Sequence, residues 1–156
     1  MIERYQYREI EKIWNDQNKF DTWKLVEQKY LETLEENNIS PGGIAKVIEK
    51  TEVLKDEVYE REKITNHDLA SFVDILQSKV GDNSNWIHYG LTSSDVVDTA
   101  NSLLIKQSLS ITIDLLDELL IQIEAKAKQE MHTPVIGRTH GVFAETTFLG
   151  NIFGNW

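Results

Sequence analysis

Four histidines and one cluster of hydroxyls hold most of the chemistry that this chain can offer. His88-Tyr89-Gly90-Leu91-Thr92-Ser93-Ser94-Asp95 leads into the longest run free of glycine and proline, Leu91 to Thr133. The hydroxyls therefore stand where a very long helix begins. Free backbone N–H groups and the positive end of the helix dipole at such a place attract carboxylates or phosphates. A second polar loop, Gly137-Arg138-Thr139-His140-Gly141, follows the same helix and carries a cation and an imidazole. Two such loops flanking one helix point to a site for an anionic substrate.

Each of these residues also has a plain structural use. The histidines are His67, His88, His132 and His140, and a lone histidine is more often a cap or a core residue than a ligand. Three together at a helix entrance or in glycine-bounded loops shift the balance toward a site. Metal ligation is the weaker reading, because there is no His-Glu-x-x-His pattern and no cysteine. One of Thr92, Ser93 and Ser94 must cap the long helix, and Asp95 and Asp98 complement its dipole. Only one cap is needed, so hydroxyls are left for a ligand. Arg138 on its own reads as a surface ion-pair partner, and Arg4 and Tyr5 on their own as an exposed terminus.

The elements that must position these residues are helices. Large apolar residues at Phe20, Trp23, Tyr30, Leu31 and Leu34 fall mostly three, four or seven apart, as on one helical face. Ser40-Pro41 reads as an N-cap with proline in the first turn. Asn66 reads as the cap of a helix from about His67 to Val80, with Leu69, Phe72, Val73, Ile75 and Leu76 on its buried side. Gly81-Asp82-Asn83-Ser84-Asn85 is a loop by composition. No strand series, internal repeat or low-complexity segment stands out, and the expected fold is all-α.

The long helix makes a demand of its own. From Ser94 to Glu130 it would span ~55 Å at the usual helical rise, against a radius of gyration of ~15 Å for a compact domain of this size. It must break or project beyond its own domain. Leu109, Ile113, Leu116, Leu120, Ile123 and Ala127 keep the four-three spacing of a bundle seam. Leu104, Ile111, Leu115 and Leu119 form a second stripe. A helix buried on two sides in so short a chain needs a partner, and self-association is expected.

Bulk properties narrow the function. The formal charge of −10 over 156 residues argues against a broad basic footprint for nucleic acid or anionic lipid. A few local donors can still reverse the sign inside a cleft. Without cysteine there are no disulfides and no thiol chemistry. No window approaches the ~20 apolar residues of a membrane span, and the polar N-terminus lacks a signal-like apolar stretch. A soluble, cytoplasmic protein is expected, with neither nucleic acid nor membrane as partner.

Taken together, these segments resemble the N-terminal part of the adenylosuccinate lyases, within the fumarase/aspartase superfamily. The resemblance runs through Met1-Ile2-Glu3-Arg4-Tyr5, Ile64-Thr65-Asn66-His67-Asp68, His88 to Ala100, and Gly137 to Val142, in matching order and spacing. It covers nearly the whole chain, and its most specific segment is 88–100. It implies an N-terminal helical domain over 1–92, then over 93–156 the first long helix of a central helical bundle, truncated. It also implies elimination of fumarate from adenylosuccinate, giving AMP, and from the succinyl-carboxamide ribotide (SAICAR), with no metal or organic cofactor.

In such a β-elimination a base removes a proton beside a carboxylate and an acid protonates the departing nitrogen. The intermediate doubly charged aci-carboxylate needs preorganised donors, a task that the resemblance gives to Thr92 and Ser93. It implies His140 as the general acid and His67 as the group that places or polarises the leaving side. It further implies Arg4 and Tyr5 as contacts to the nucleotide phosphate, with His88 in the same pocket, and a homotetramer for the complete enzyme.

The departures are equally specific. The family's Ser-Ser-x-Met-Pro-x-Lys-x-Asn loop, which carries the catalytic serine base, does not occur in these residues. Proline is missing after Glu145, and Leu149 to Trp156 diverge, with Gly150 and Gly154 where a bundle helix would continue. The expectation is a fragment inactive by itself. Two other readings compete: a non-catalytic helical module that binds nucleotides or partners, and another lyase of the same superfamily.

Overall fold

The structure, a computed structural model, describes residues 3–156. A single 3-10 turn at Glu3–Tyr5 precedes α1 (Arg8–Trp14), α2 (Asp16–Glu36), α3 (Ile44–Lys50), α4 (Lys55–Thr65) and α5 (Asp68–Val80). A second 3-10 turn at Ser84–Trp86 leads to α6 (Ser93–Gln129), followed by β1 (Pro134–Thr139), β2 (Val142–Phe148) and α7 (Leu149–Gly154). The all-α expectation holds, with one small hairpin added. Two compact units divide the chain, Met1–Ser108 and Leu109–Trp156. The long helix α6 is continuous over its 37 residues, so of the two alternatives it does not break.

The first unit is organised by α2. Asn15 caps it, its side-chain oxygen accepting from the Asn18 N–H at 2.9 Å. Phe20, Trp23, Leu31 and Leu34 are buried on one face and join Leu69 and Phe72 of α5 and Val96 and Ala100 of α6 in one apolar cluster. Phe20 meets Trp23 edge-on at 5.3 Å and stacks on Phe72 at 6.1 Å. Each fully buried side chain of this size contributes ~1.5–3 kcal/mol of transfer free energy. That packing fixes α2, α5 and the start of α6 as one frame.

Three caps differ from the sequence expectation, two of them before α6. Ser40 does not start a helix: its N–H bonds the Leu34 carbonyl that ends α2, and its hydroxyl is buried. The start of α3 is capped from a distance by Glu35, whose carboxylate accepts from the N–H groups of Gly43 and Ala45 at 3.0 and 2.8 Å. Asn66 likewise ends α4 rather than starting α5. It takes the left-handed conformation (φ 54°) that asparagine tolerates at a helix C-terminus. The cap of α5 is His67 itself, whose ring nitrogen accepts from the Ala70 N–H.

In the second unit β1 and β2 form an antiparallel hairpin, Pro134 opposite Phe148 and Thr139 opposite Val142, with an irregularity between Ile136 and Arg138. The connection is the pair His140-Gly141, both at positive φ (53° and 78°), as a two-residue hairpin turn of the favoured hand requires. The sequence reading had no strand here. Val142-Phe-Ala-Glu-Thr-Thr-Phe148 lacks strict alternation, and its residues are mostly exposed, so there was little burial period to detect. Then α7 folds back onto the end of α6. The N–H groups of Leu149 and Gly150 donate to the carbonyls of Thr133 and Glu130 at 2.9 and 3.0 Å. A Cβ on Gly150 would stand 2.6 Å from the Ala127 carbonyl oxygen, which accounts for glycine there. From Leu109 onward the apolar residues of both α6 stripes are largely exposed.

Candidate active site

His67, His88 and Ser93 line one cavity of about 190 Å³, floored by Leu69, Ala70 and Val73 of α5. Each arrives on a different device. His67 is the cap of α5, and its backbone is pinned on both sides. Its N–H donates to the Thr65 hydroxyl at 3.2 Å, its carbonyl accepts from the Ser71 hydroxyl at 2.8 Å, and those two hydroxyls bond each other. The ring is fixed too. Nδ1 accepts from the Ala70 N–H at 3.3 Å, so in the capped state it carries no proton. It therefore cannot also donate to Asp68, 3.5 Å away. The proton of the neutral ring sits on Nε2, which lies 3.5 Å from Ser93 Oγ. That separation is long for a hydrogen bond and leaves Nε2–H available to a ligand.

His88 is held from underneath. Its backbone is left-handed (φ 63°), a conformation uncommon outside glycine and one that a surrounding structure must enforce. The enforcing group is Glu27 on α2. One carboxylate oxygen accepts from the His88 N–H at 2.9 Å, and the other lies 2.6 Å from His88 Nδ1. Glu27 is 1 % exposed. Burial pushes its carboxyl above the usual range, and the hydrogen bond and charge of His88 pull it partly back. One helical turn along, the Tyr30 hydroxyl donates to the Tyr89 carbonyl at 3.0 Å. Gln77 of α5 donates to the Ile87 carbonyl at 3.3 Å. The loop before α6 is thus tied to both neighbouring helices.

At the entrance of α6 the cap expected of Thr92, Ser93 or Ser94 is supplied instead by Asp95, whose carboxylate accepts from the Thr92 N–H at 2.8 Å. Thr92 is exposed and Ser93 half-buried; of the two, Ser93 lines the cavity and Thr92 does not. Carboxylate on the first turn also suits the helix dipole.

Arg4, Tyr5 and His140 are not among the residues that line this cavity. Arg4 stacks its guanidinium on the Tyr5 ring at 4.8 Å. Tyr5 lines a separate hollow of about 240 Å³ with Tyr7, Ile10 and Trp14. His140 belongs to the second unit, where it occupies the exposed hairpin turn, and Arg138 of β1 packs over Phe143 at 5.1 Å. Among the described residues no group of three or more His, Cys, Asp or Glu side chains could hold a metal ion. Nor is any helix among them long and apolar enough to cross a membrane.

Glu27 is the residue that sequence reasoning missed. Its signal was present: it falls four residues after Trp23 and four before Leu31, in register with the apolar face of α2. A carboxylate on a buried stripe needs a partner, and here the partner is a candidate site histidine.

The family model described as lyase matches residues 5–156. Adenylosuccinate lyase from Bacillus subtilis (strain 168) is 40% identical over 157 aligned residues, 100% of this chain and 36% of that protein. Adenylosuccinate lyase from Thermotoga maritima is 38% identical over 96% of this chain and 35% of its own length. The chain therefore spans about a third of the length of these relatives. Among solved structures, fumarate lyase from Mesorhizobium sp. BNC1 superposes with a TM-score of 0.89 at 20% identity, covering 96% of this chain and 36% of that one. Beta-carboxy-cis,cis-muconate cycloisomerase from Acinetobacter calcoaceticus does so with 0.86 at 21%, covering 96% and 37%. At that identity the likeness is one of fold.

Proposed function

Because the chain belongs to the lyase family that its residues 5–156 match, we propose that it forms part of a lyase of purine nucleotide biosynthesis. The reaction is elimination of fumarate from adenylosuccinate, giving AMP, and from SAICAR. The observation that carries the reading is the meeting of His67, His88 and Ser93 at one cavity beside the α6 N-terminus. The names of the relatives from Bacillus subtilis and Thermotoga maritima support the choice of substrate.

Within this reading the hydroxyls of Thr92 and Ser93 donate to a substrate carboxylate. They stabilise the charge that builds up when the neighbouring carbon loses its proton. His67, with Nε2–H free, donates to the leaving side and polarises it. His140 is the general acid that protonates the departing nitrogen. Arg4, Tyr5 and His88 bind the nucleotide phosphate, and since Tyr5 and His88 line different hollows of one chain, their meeting at one phosphate rests on assembly. No cofactor is needed, because both proton transfers are within reach of side-chain chemistry. The active protein is a homotetramer, a reading supported by the exposed apolar stripes of α6.

The 156 residues alone should release negligible fumarate, since the serine base of the family lies on a loop that they do not contain. In a longer protein carrying this sequence, His140→Ala should lower turnover by ~10²-fold or more while substrate still binds. Turnover unchanged by that substitution would remove His140 from the mechanism. Binding of AMP or fumarate with no turnover in the longer protein would favour a non-catalytic module instead.

A further inference from the structure

Glu27 is a fully buried carboxylate that the proposed elimination does not use, and its two oxygens are both spent on one residue. The first accepts from the His88 backbone N–H, a donor under all conditions. The second faces His88 Nδ1 at 2.6 Å, a distance that requires a shared proton. With the carboxylate ionised, that proton must be on Nδ1, because two acceptors cannot meet so closely. The ring is largely buried, with 21% of its side chain exposed, and it borders the cavity shared with His67 and Ser93. Nδ1 is turned toward α2, so Nε2 is the ring nitrogen left for a ligand.

We propose that Glu27 is the positioning residue of His88, fixing the neutral imidazole as the Nδ1–H tautomer and so presenting Nε2 to the cavity. In the neutral ring Nε2 meets a ligand as an acceptor. Once the ring is protonated it meets an anionic oxygen as a donor, with Glu27 balancing the charge. The left-handed backbone of His88 serves the same end, because it turns the N–H and the ring toward one carboxylate. A second carboxylate-to-histidine tie of this kind does not occur at His67, whose Nδ1 is bare and whose Nε2 carries the proton. The two histidines therefore offer the cavity opposite hydrogen-bonding character, a donor from one and an acceptor from the other. This inference rests on the proposed function only in treating His88 as a residue that meets substrate.

The test is the tautomer itself, read in this 156-residue chain labelled with 15N-histidine, under conditions where the ring-nitrogen shifts themselves show neutral imidazoles. Long-range proton–nitrogen correlations distinguish a protonated ring nitrogen from a bare one, and His88 is assigned by its loss in His88→Gln. The expected result is a protonated Nδ1 and a bare Nε2 at His88, with the reverse at His67. Glu27→Gln keeps the shape of the side chain. Its amide oxygen must face the backbone N–H, so its NH2 must face Nδ1, and His88 should switch to the Nε2–H tautomer. Wild-type His88 already in the Nε2–H form would overturn the inference whether or not the variant folds. So would a folded Glu27→Gln protein that keeps the proton on Nδ1. If the tautomers are as expected but no purine substrate is turned over by a longer protein carrying this sequence, the proposed function fails and the positioning role stands.

Discussion

His67 serves two purposes, and its chemistry lets them be separated. Its Nδ1 caps α5 through the Ala70 N–H, while its Nε2 points to Ser93. Asparagine is among the best N-caps, so His67→Asn should hold stability within ~0.5 kcal/mol of the parent, whereas His67→Ala should cost about 1 kcal/mol. Urea unfolding of the three proteins checks this. Equal losses for both variants would mean that the cap is not the stabilising contact. Glu27 is held more stringently, because removing its carboxylate strands the His88 N–H and ring and opens a void. Glu27→Ala should destabilise the first unit by about 2–4 kcal/mol, again read by urea unfolding. Of these residues, His67, His88, Thr92 and Ser93 were legible in the sequence as types that could do chemistry. Glu27 was not, because its meaning lies in a partner 61 positions away, and no local pattern links them.

At the level of elements, the helices were legible because their apolar periods are strong, and the caps were not. Asn66 and Ser40 both have the composition of N-caps, but each is taken up by the end of the preceding helix, and His67 and Glu35 do the capping instead. One start was built by a charge. Glu57 accepts from the Leu54 N–H at 3.0 Å and from Lys79 at 2.5 Å, and these bonds, the Lys79 one foremost, hold its carboxyl below the ordinary value of 4.5. A lowered carboxyl contributes stability above its unfolded value and loses it as pH falls through the folded one. Glu57→Gln should therefore cost ~0.5–1 kcal/mol near neutrality. The difference should vanish in acid below the folded value, as thermal melts at the two pH values would show. The hairpin was illegible for a different reason, since its strands face solvent and carry no burial period. Its neighbour α7 is docked through Gly150, and Gly150→Ala forces a Cβ against the Ala127 carbonyl. Overpacking of this kind costs ~1–3 kcal/mol. Amide exchange at Leu149 and Gly150 should accelerate by ~10-fold or more, and unchanged exchange would show that α7 is not held there.

For the molecule as a whole, the order and spacing of the four motifs identified the family, and the helical order of the structure agrees with it. Assembly was only half visible. The two stripes of α6 were read as demanding a partner, and in the chain by itself Leu109, Ile113, Leu116 and Leu120 stay about half exposed or more. So much apolar surface on one helix should drive self-association, and light scattering at micromolar concentration should give a mass above that of one 18.0 kDa chain. A monodisperse monomer would contradict it. The matched lyases are longer, this chain covering 36% and 35% of them, and the remaining share is theirs. That share can be supplied experimentally. Residues 1–156 can replace the matching part of the Bacillus subtilis adenylosuccinate lyase, to which they are 40% identical. The chimera is then assayed for fumarate release from adenylosuccinate. The proposed function predicts release of fumarate and AMP in equal amounts, lost on His140→Ala. A chimera that assembles but releases no fumarate, or releases it equally well without His140, would contradict it.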